Sequence, residues 1–199
     1  MLPKRIYLVD RKKALVDAWR EAFADFENVE AIQGDYFSIH ADAMVSPANS
    51  FGFMDGGLDK AIRDKLGVSI QEKVQKVILE KYHGELPVGM AEIVETNHAH
   101  WRFLVGAPTM RVPENISQTL NAYLSFRAIL LAVKRFNESA TNQIIQSLLC
   151  PGLGTATGRM PPRKCAAQMR VAYNHLYERA RIPDFQEIRR VHAKMHRAS

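Results

Sequence analysis

The stretch PANSFGFMDGGLDKAI, residues 47–62, decides how this chain is read. A short buried run, AMVSPA (43–48), leads into it; it then passes Gly52, Gly56 and Gly57 and enters a helical pattern over 57–66. Closely spaced glycines ahead of a helix let the backbone approach a ligand and aim free N–H groups at an anion. Polar side chains crowd the same segment: Asn49 at the strand end, Asp55 in the loop and Asp59 on the first helical turn. A second segment of the same kind, CPGLGTATGRMPP (150–162), follows the apolar run IIQSLLC (144–150) and precedes another helix. It carries Gly152, Gly154 and Gly158 with Thr155 and Thr157 between them. Its spacing fails the Walker A pattern, because Arg159 and Met160 stand after Gly158, and it fails GxGxxG, because Thr157 occupies the third glycine place. By its chemistry it is a phosphate loop all the same.

Outward from these loops the chain alternates strands and helices. Strands are expected at 5–9, 29–33, 43–48, 90–96, 102–108 and 144–150. A first helix is marked by Leu15, Val16, Trp19, Ala22, Phe23 and Phe26. Others are expected at 57–66, at 68–83 with Gly84 as its cap, at 116–136 and at 162–181, with a basic helix after Pro183. The alternation implies a three-layer α/β domain, in which ligands collect outside the carboxyl ends of the strands. Both glycine-rich loops lie on that edge.

Composition sets the class. With 47% apolar and 24% charged residues over 199 positions, the chain has the profile of a soluble globular protein of one domain. No apolar run approaches the ~20 residues of a membrane span. The start, MLPKRIYLVDRKK, lacks a secretory signal's apolar stretch, so a cytoplasmic location is expected. Cys150 and Cys165 make no CxxC pair, which argues against a disulfide framework or structural zinc. His98 and His100 read as a polar turn between strands rather than as metal ligands. A net charge of +6, with Arg179, Arg181, Arg189, Arg190, Lys194 and Arg197 at the C-terminal end, favours an anionic partner, nucleic acid included.

Taken together, GD (34–35), SPAN (46–49), GGLDKAI (56–62) and the loop at 150–162 resemble the macrodomain family over roughly residues 29–180. The resemblance is nearest to the MacroD-like members that process ADP-ribose derivatives. It implies an α/β/α fold with a mixed central sheet and helices on both faces. One domain would span 1–183, with residues 1–28 as an N-terminal strand–helix extension and 184–199 as a basic helix or tail. It further implies that Asp35, with Tyr36 beside it, receives the adenine amino group, the aspartate acting as a buried carboxylate. Asn49 would hold the distal ribose, and Gly56 and Gly57 would wrap it. Gly154, Thr155, Ala156, Thr157 and Gly158 would close over the diphosphate, with Gly152 also in the ligand-binding set. The loop lacks the family's usual aromatic near the distal ribose, a place that Phe51, Phe53 or Arg159 would fill.

In the hydrolytic members an aspartate at the place of Asp59 orients or activates water, so Asn49 and Asp59 are the catalytic candidates. That chemistry needs no metal or redox cofactor. Two departures stand out: Phe53-Met54-Asp55 replaces the usual glycine run, and Arg63 stands where a histidine is common. An i, i+4 pairing of Asp59 with Arg63 would lower the basicity of Asp59. The expected function is therefore ADP-ribose binding with hydrolysis of an ADP-ribosyl linkage on protein or nucleic acid, or of O-acetyl-ADP-ribose or ADP-ribose 1″-phosphate. The alternatives are a non-catalytic ADP-ribose reader and a nucleic-acid binder using the basic C-terminal helix.

Overall fold

A computed structural model of the chain describes residues 1–140 and 142–198. Six strands form one sheet: β1 (Arg5–Asp10), β2 (Val29–Gln33), β3 (Ala43–Ser46), β4 (Glu92–His98), β5 (Trp101–Gly106) and β6 (Ser147–Cys150). Their spatial order is β2-β1-β6-β3-β5-β4. All neighbours are parallel except β4 and β5, which form an antiparallel hairpin at one edge. The sheet is therefore mixed, with the carboxyl ends of five strands on a single edge.

The helices are α1 (Lys13–Ala22), α2 (Gly57–Leu66), α3 (Ser69–Tyr82), α4 (Asn121–Ser139), α5 (Pro162–Tyr177) and α6 (Phe185–Arg197). Alternation along each strand sends successive side chains to opposite faces. Ile6, Leu8 and Leu148 join Leu15, Trp19, Phe126, Ile129 and Met169 in a core shared with α1, α4 and α5. Val9, Met44, Leu104 and Leu149 join Ile62, Ile70, Val74 and Ile78 in a second core under α2 and α3. These two cores on the two faces of one sheet are the expected three layers.

Several boundaries moved for identifiable reasons. The helix expected from 116 begins at Asn121, because Ile116 donates its N–H to the Gly158 carbonyl (2.9 Å) and packs under the second glycine-rich loop. The strand expected from 144 starts at Ser147. Ile145 exchanges two hydrogen bonds with the Asn137 side chain, and the Gln146 N–H donates to Asp42. The helix expected to reach 181 stops at Tyr177.

Residues 1–28 do not sit at the margin of the sheet. β1 lies between β2 and β6, in register with both, so the N-terminal unit supplies an interior strand, second from the edge. Its carboxyl end, Asp10, therefore opens onto the edge where the two glycine-rich loops lie.

β3 and β6 pair only through Ala43–Leu148 and Met44–Leu149 and then diverge. The Tyr36 hydroxyl fills the gap, lying 2.8 Å from the Val45 carbonyl and 3.0 Å from that of Leu149 while accepting the Val45 N–H (3.0 Å). A buried hydroxyl thus satisfies backbone groups that the ladder leaves open. The divergence creates the space described next.

Candidate functional site

A cleft of about 820 Å³ runs along the carboxyl edge of the sheet. Its walls come from five strand ends: Gly34–Phe37 after β2, Asp10–Lys12 after β1, the loop after β6, the loop after β3, and residues 109–113 after β5. Every sequence-predicted site residue except Arg159 lines it: Asp35, Tyr36, Asn49, Gly56, Gly57, Asp59, Gly152, Gly154, Thr155, Ala156, Thr157 and Gly158. Arg159 follows directly, exposed and at a positive φ of 53°.

The second loop is shaped by close approach. A Cβ on Gly152 would collide with Thr155 Oγ1 and stand 2.6 Å from Leu15 Cδ2, and one on Gly158 would stand 2.6 Å from the Gly154 carbonyl oxygen. Gly154 takes a φ of +71°, which favours glycine. The turn is closed by hydrogen bonds from Met160 N–H to the Gly154 carbonyl and from Arg159 N–H to the Ala156 carbonyl. Among the described residues, the N–H groups of Gly154, Thr155, Ala156, Thr157 and Gly158 find no protein acceptor. The five residues line the cleft, and successive backbone donors left open in this way suit an anion.

The first loop is held by its own side chains. Asn49 Oδ1 accepts from the N–H groups of Phe51 (3.0 Å) and Phe53 (3.3 Å), and Nδ2 donates to the Phe53 carbonyl (2.7 Å). One Nδ2 hydrogen is left for a ligand. Gly57, at a φ of +55°, starts α2 with its amino end toward the cleft. The helix dipole adds partial positive charge there.

Asp59 is half-buried on the first turn of α2 and accepts a hydrogen bond from the buried Ser46 hydroxyl (2.6 Å). Burial pushes its carboxyl up to about 6, against the opposing pull of that hydrogen bond. The expected Asp59–Arg63 pairing is absent. Arg63 Nη1 instead pairs with Asp55 Oδ1 (2.6 Å) and Nη2 lies 3.6 Å from Asp64. The guanidinium therefore offsets the charge of the Asp55 carboxylate in the loop. It leaves Asp59 more basic, the reverse of the expectation.

Asp35 also departs from expectation, being exposed rather than buried. It caps the short 3-10 turn Tyr36–Ser38 by accepting the Phe37 N–H (2.8 Å) and pairs with Arg11. Those two contacts, the backbone hydrogen bond first, hold its carboxyl below the usual range.

Two walls were not read from sequence. One is residues 109–113, which continue beside the first loop through the Thr109 N–H to Ala48 carbonyl and Ser50 N–H to Arg111 carbonyl bonds. There Arg111 is gripped by Glu85 (2.8 and 3.0 Å) and lies 5.1 Å from the Phe51 ring. The other is Asp10–Lys12. Both follow strands on the ligand-bearing edge, which was the available signal; they lack the glycines that drew attention elsewhere.

Two glycine-rich loops and a half-buried carboxylate line one cleft above a mixed, largely parallel sheet, which defines an α/β domain with its candidate site on the carboxyl edge. A protein-family model described as "Macro domain" matches residues 45–169, and the chain belongs to that family. Among its relatives, a protein described as uncharacterised from Aquifex aeolicus is 29% identical over 142 residues, 71% of this chain and 78% of that protein. Another from Aeropyrum pernix is 30% identical over 139 residues, 70% of this chain and 67% of the relative. The macrodomain of Mycobacterium tuberculosis DarG shares the fold with a TM-score of 0.59 at 18% identity, over 74% of this chain and 90% of that one. A mutant Oceanobacillus iheyensis macrodomain, solved with ADPR, does so with a TM-score of 0.59 at 19% identity, over 73% and 77%.

Proposed function

We propose that the cleft binds ADP-ribose and that Asp59 supports hydrolysis of an ADP-ribosyl linkage. The observation that carries the reading is the line of unpartnered N–H groups from Gly154 to Gly158, set in one cleft with the Gly57 helix start. Neutral backbone donors suit a diphosphate, and a cleft of about 820 Å³ suits a ligand of that size. On this reading Asp35 receives the adenine, and Asn49 and Asp59 serve the distal ribose; all three line the cleft. The Oceanobacillus iheyensis structure with ADPR supports ADP-ribose as the ligand by analogy of fold.

In the hydrolytic step, water adds to the anomeric carbon as the bond to the leaving group breaks. The Asp59 carboxylate accepts the water's proton, and the leaving group departs with a proton from solvent. A carboxylate raised to about 6 is charged at neutral pH and still basic enough to take that proton. Its negative charge also stabilises the developing positive sugar.

The reader alternative is favoured by one contact set: most of the Asn49 amide is engaged by its own loop, which suits holding more than reacting. Incubation with a mono-ADP-ribosylated protein separates the two. Release by wild type and none by Asp59→Ala is the expected result. Tight ADP-ribose binding with no release by wild type would leave only the reader.

A further inference from the structure

We propose that Lys12 is a phosphate-binding residue of this cleft, supplied by the N-terminal strand–helix unit that lies outside the matched segment 45–169. The proposal rests on reading the cleft as an ADP-ribose site. Lys12 stands at the turn from β1 into α1 and lines the cleft. Its Nζ donates to the Thr155 carbonyl (3.0 Å), so the ammonium is held against the cleft-lining loop whose N–H groups have no protein acceptor among the described residues. Only one of its three N–H bonds is used there, and two remain for an anion. The main chain is fixed as well: the Lys12 N–H donates to Asp10 Oδ1 (2.8 Å), and β1 is locked between two neighbours.

Charge explains why a cation is needed at this point. The Asp10 carboxylate borders the same loop, for a Cβ on Gly152 would stand 3.1 Å from Asp10 Oδ2. A diphosphate held by backbone donors alone would face that carboxylate across a few ångströms of partly desolvated space, where repulsion is substantial. Lys12 offsets it from the same turn. Arg11 cannot do so equally, because its guanidinium is engaged by Asp35. The N-terminal unit thus contributes recognition as well as a strand.

The test compares wild type, Lys12→Gln and Lys12→Arg by calorimetric titration with ADP-ribose, inorganic pyrophosphate and adenosine at low salt. Glutamine keeps a donor for the Thr155 carbonyl and removes the charge; arginine keeps the charge. Lys12→Gln is expected to weaken ADP-ribose and pyrophosphate by about five- to tenfold, with adenosine unchanged and Lys12→Arg within about twofold of wild type. If Lys12→Gln binds ADP-ribose and pyrophosphate like wild type, the Lys12 assignment is overturned and the ADP-ribose reading stands. If Lys12→Arg is as weak as Lys12→Gln, the loss is one of loop shape and the assignment is again overturned. If wild type binds pyrophosphate in a Lys12-dependent way but not ADP-ribose, the assignment stands and the ADP-ribose reading falls. Binding of neither by wild type overturns both.

Discussion

Asp59 lies where two forces oppose each other: burial favours its neutral form, and the Ser46 hydroxyl favours the charged one. Burial wins, and the consequence is testable in stability as well as in rate. Between the ordinary value of 3.8 and about 6 the folded chain binds more protons at this site than the unfolded chain does. Stability therefore falls as pH rises through that window, and the penalty is complete above it. Asp59→Asn should be more stable than wild type at pH 7, by roughly 1–2 kcal/mol, with the gain shrinking toward pH 4. Paired denaturant melts at the two pH values check this. Any release of ADP-ribose should climb through pH 6 in wild type and be lost in Asp59→Asn. Sequence located Asp59 but mistook its neighbour. Arg63 turns to Asp55, eight positions back, because the loop brings that carboxylate to it, and spacing on a helix cannot register a contact made by a loop.

At the scale of an element, the second loop is the least replaceable part. Gly152→Ala places a methyl against Thr155 Oγ1 and Leu15 Cδ2. It should reduce stability by about 1–3 kcal/mol and weaken diphosphate binding together, read by melting and by titration with ADP. The Tyr36 hydroxyl spans the fork of β3 and β6, so Tyr36→Phe should cost about 1–3 kcal/mol by stranding buried backbone groups. The glycines of both loops were legible because the backbone needs them locally. The 116–120 segment and residues 109–113 were not. Their geometry follows from contacts with the loops, Ile116 to Gly158 and Thr109 to Ala48, which carry no local sequence signal.

At the scale of the molecule, alternation along the strands was enough to give the layers and the ligand-bearing edge. It could not give the order of strands, and so could not show that β1 lies inside the sheet. α6 is the counterpart at the other end. Its Met195 is buried, in a groove lined by Ala18, Ala22, Ala166 and Arg170, while Phe185 and Ile188 stay exposed. Deleting residues 184–199 should lower stability by about 1–3 kcal/mol, the worth of one buried methionine side chain, and leave ADP-ribose affinity unchanged, since none of the segment's described residues lines the cleft. The central claim is the ligand itself. Calorimetric titration of the intact protein with ADP-ribose and with AMP tests it most directly. The account predicts saturable binding of ADP-ribose with AMP weaker by roughly tenfold or more, a difference of at least about 1.4 kcal/mol for the second phosphate and distal ribose. Equal binding of the two, or no heat with ADP-ribose, would contradict it.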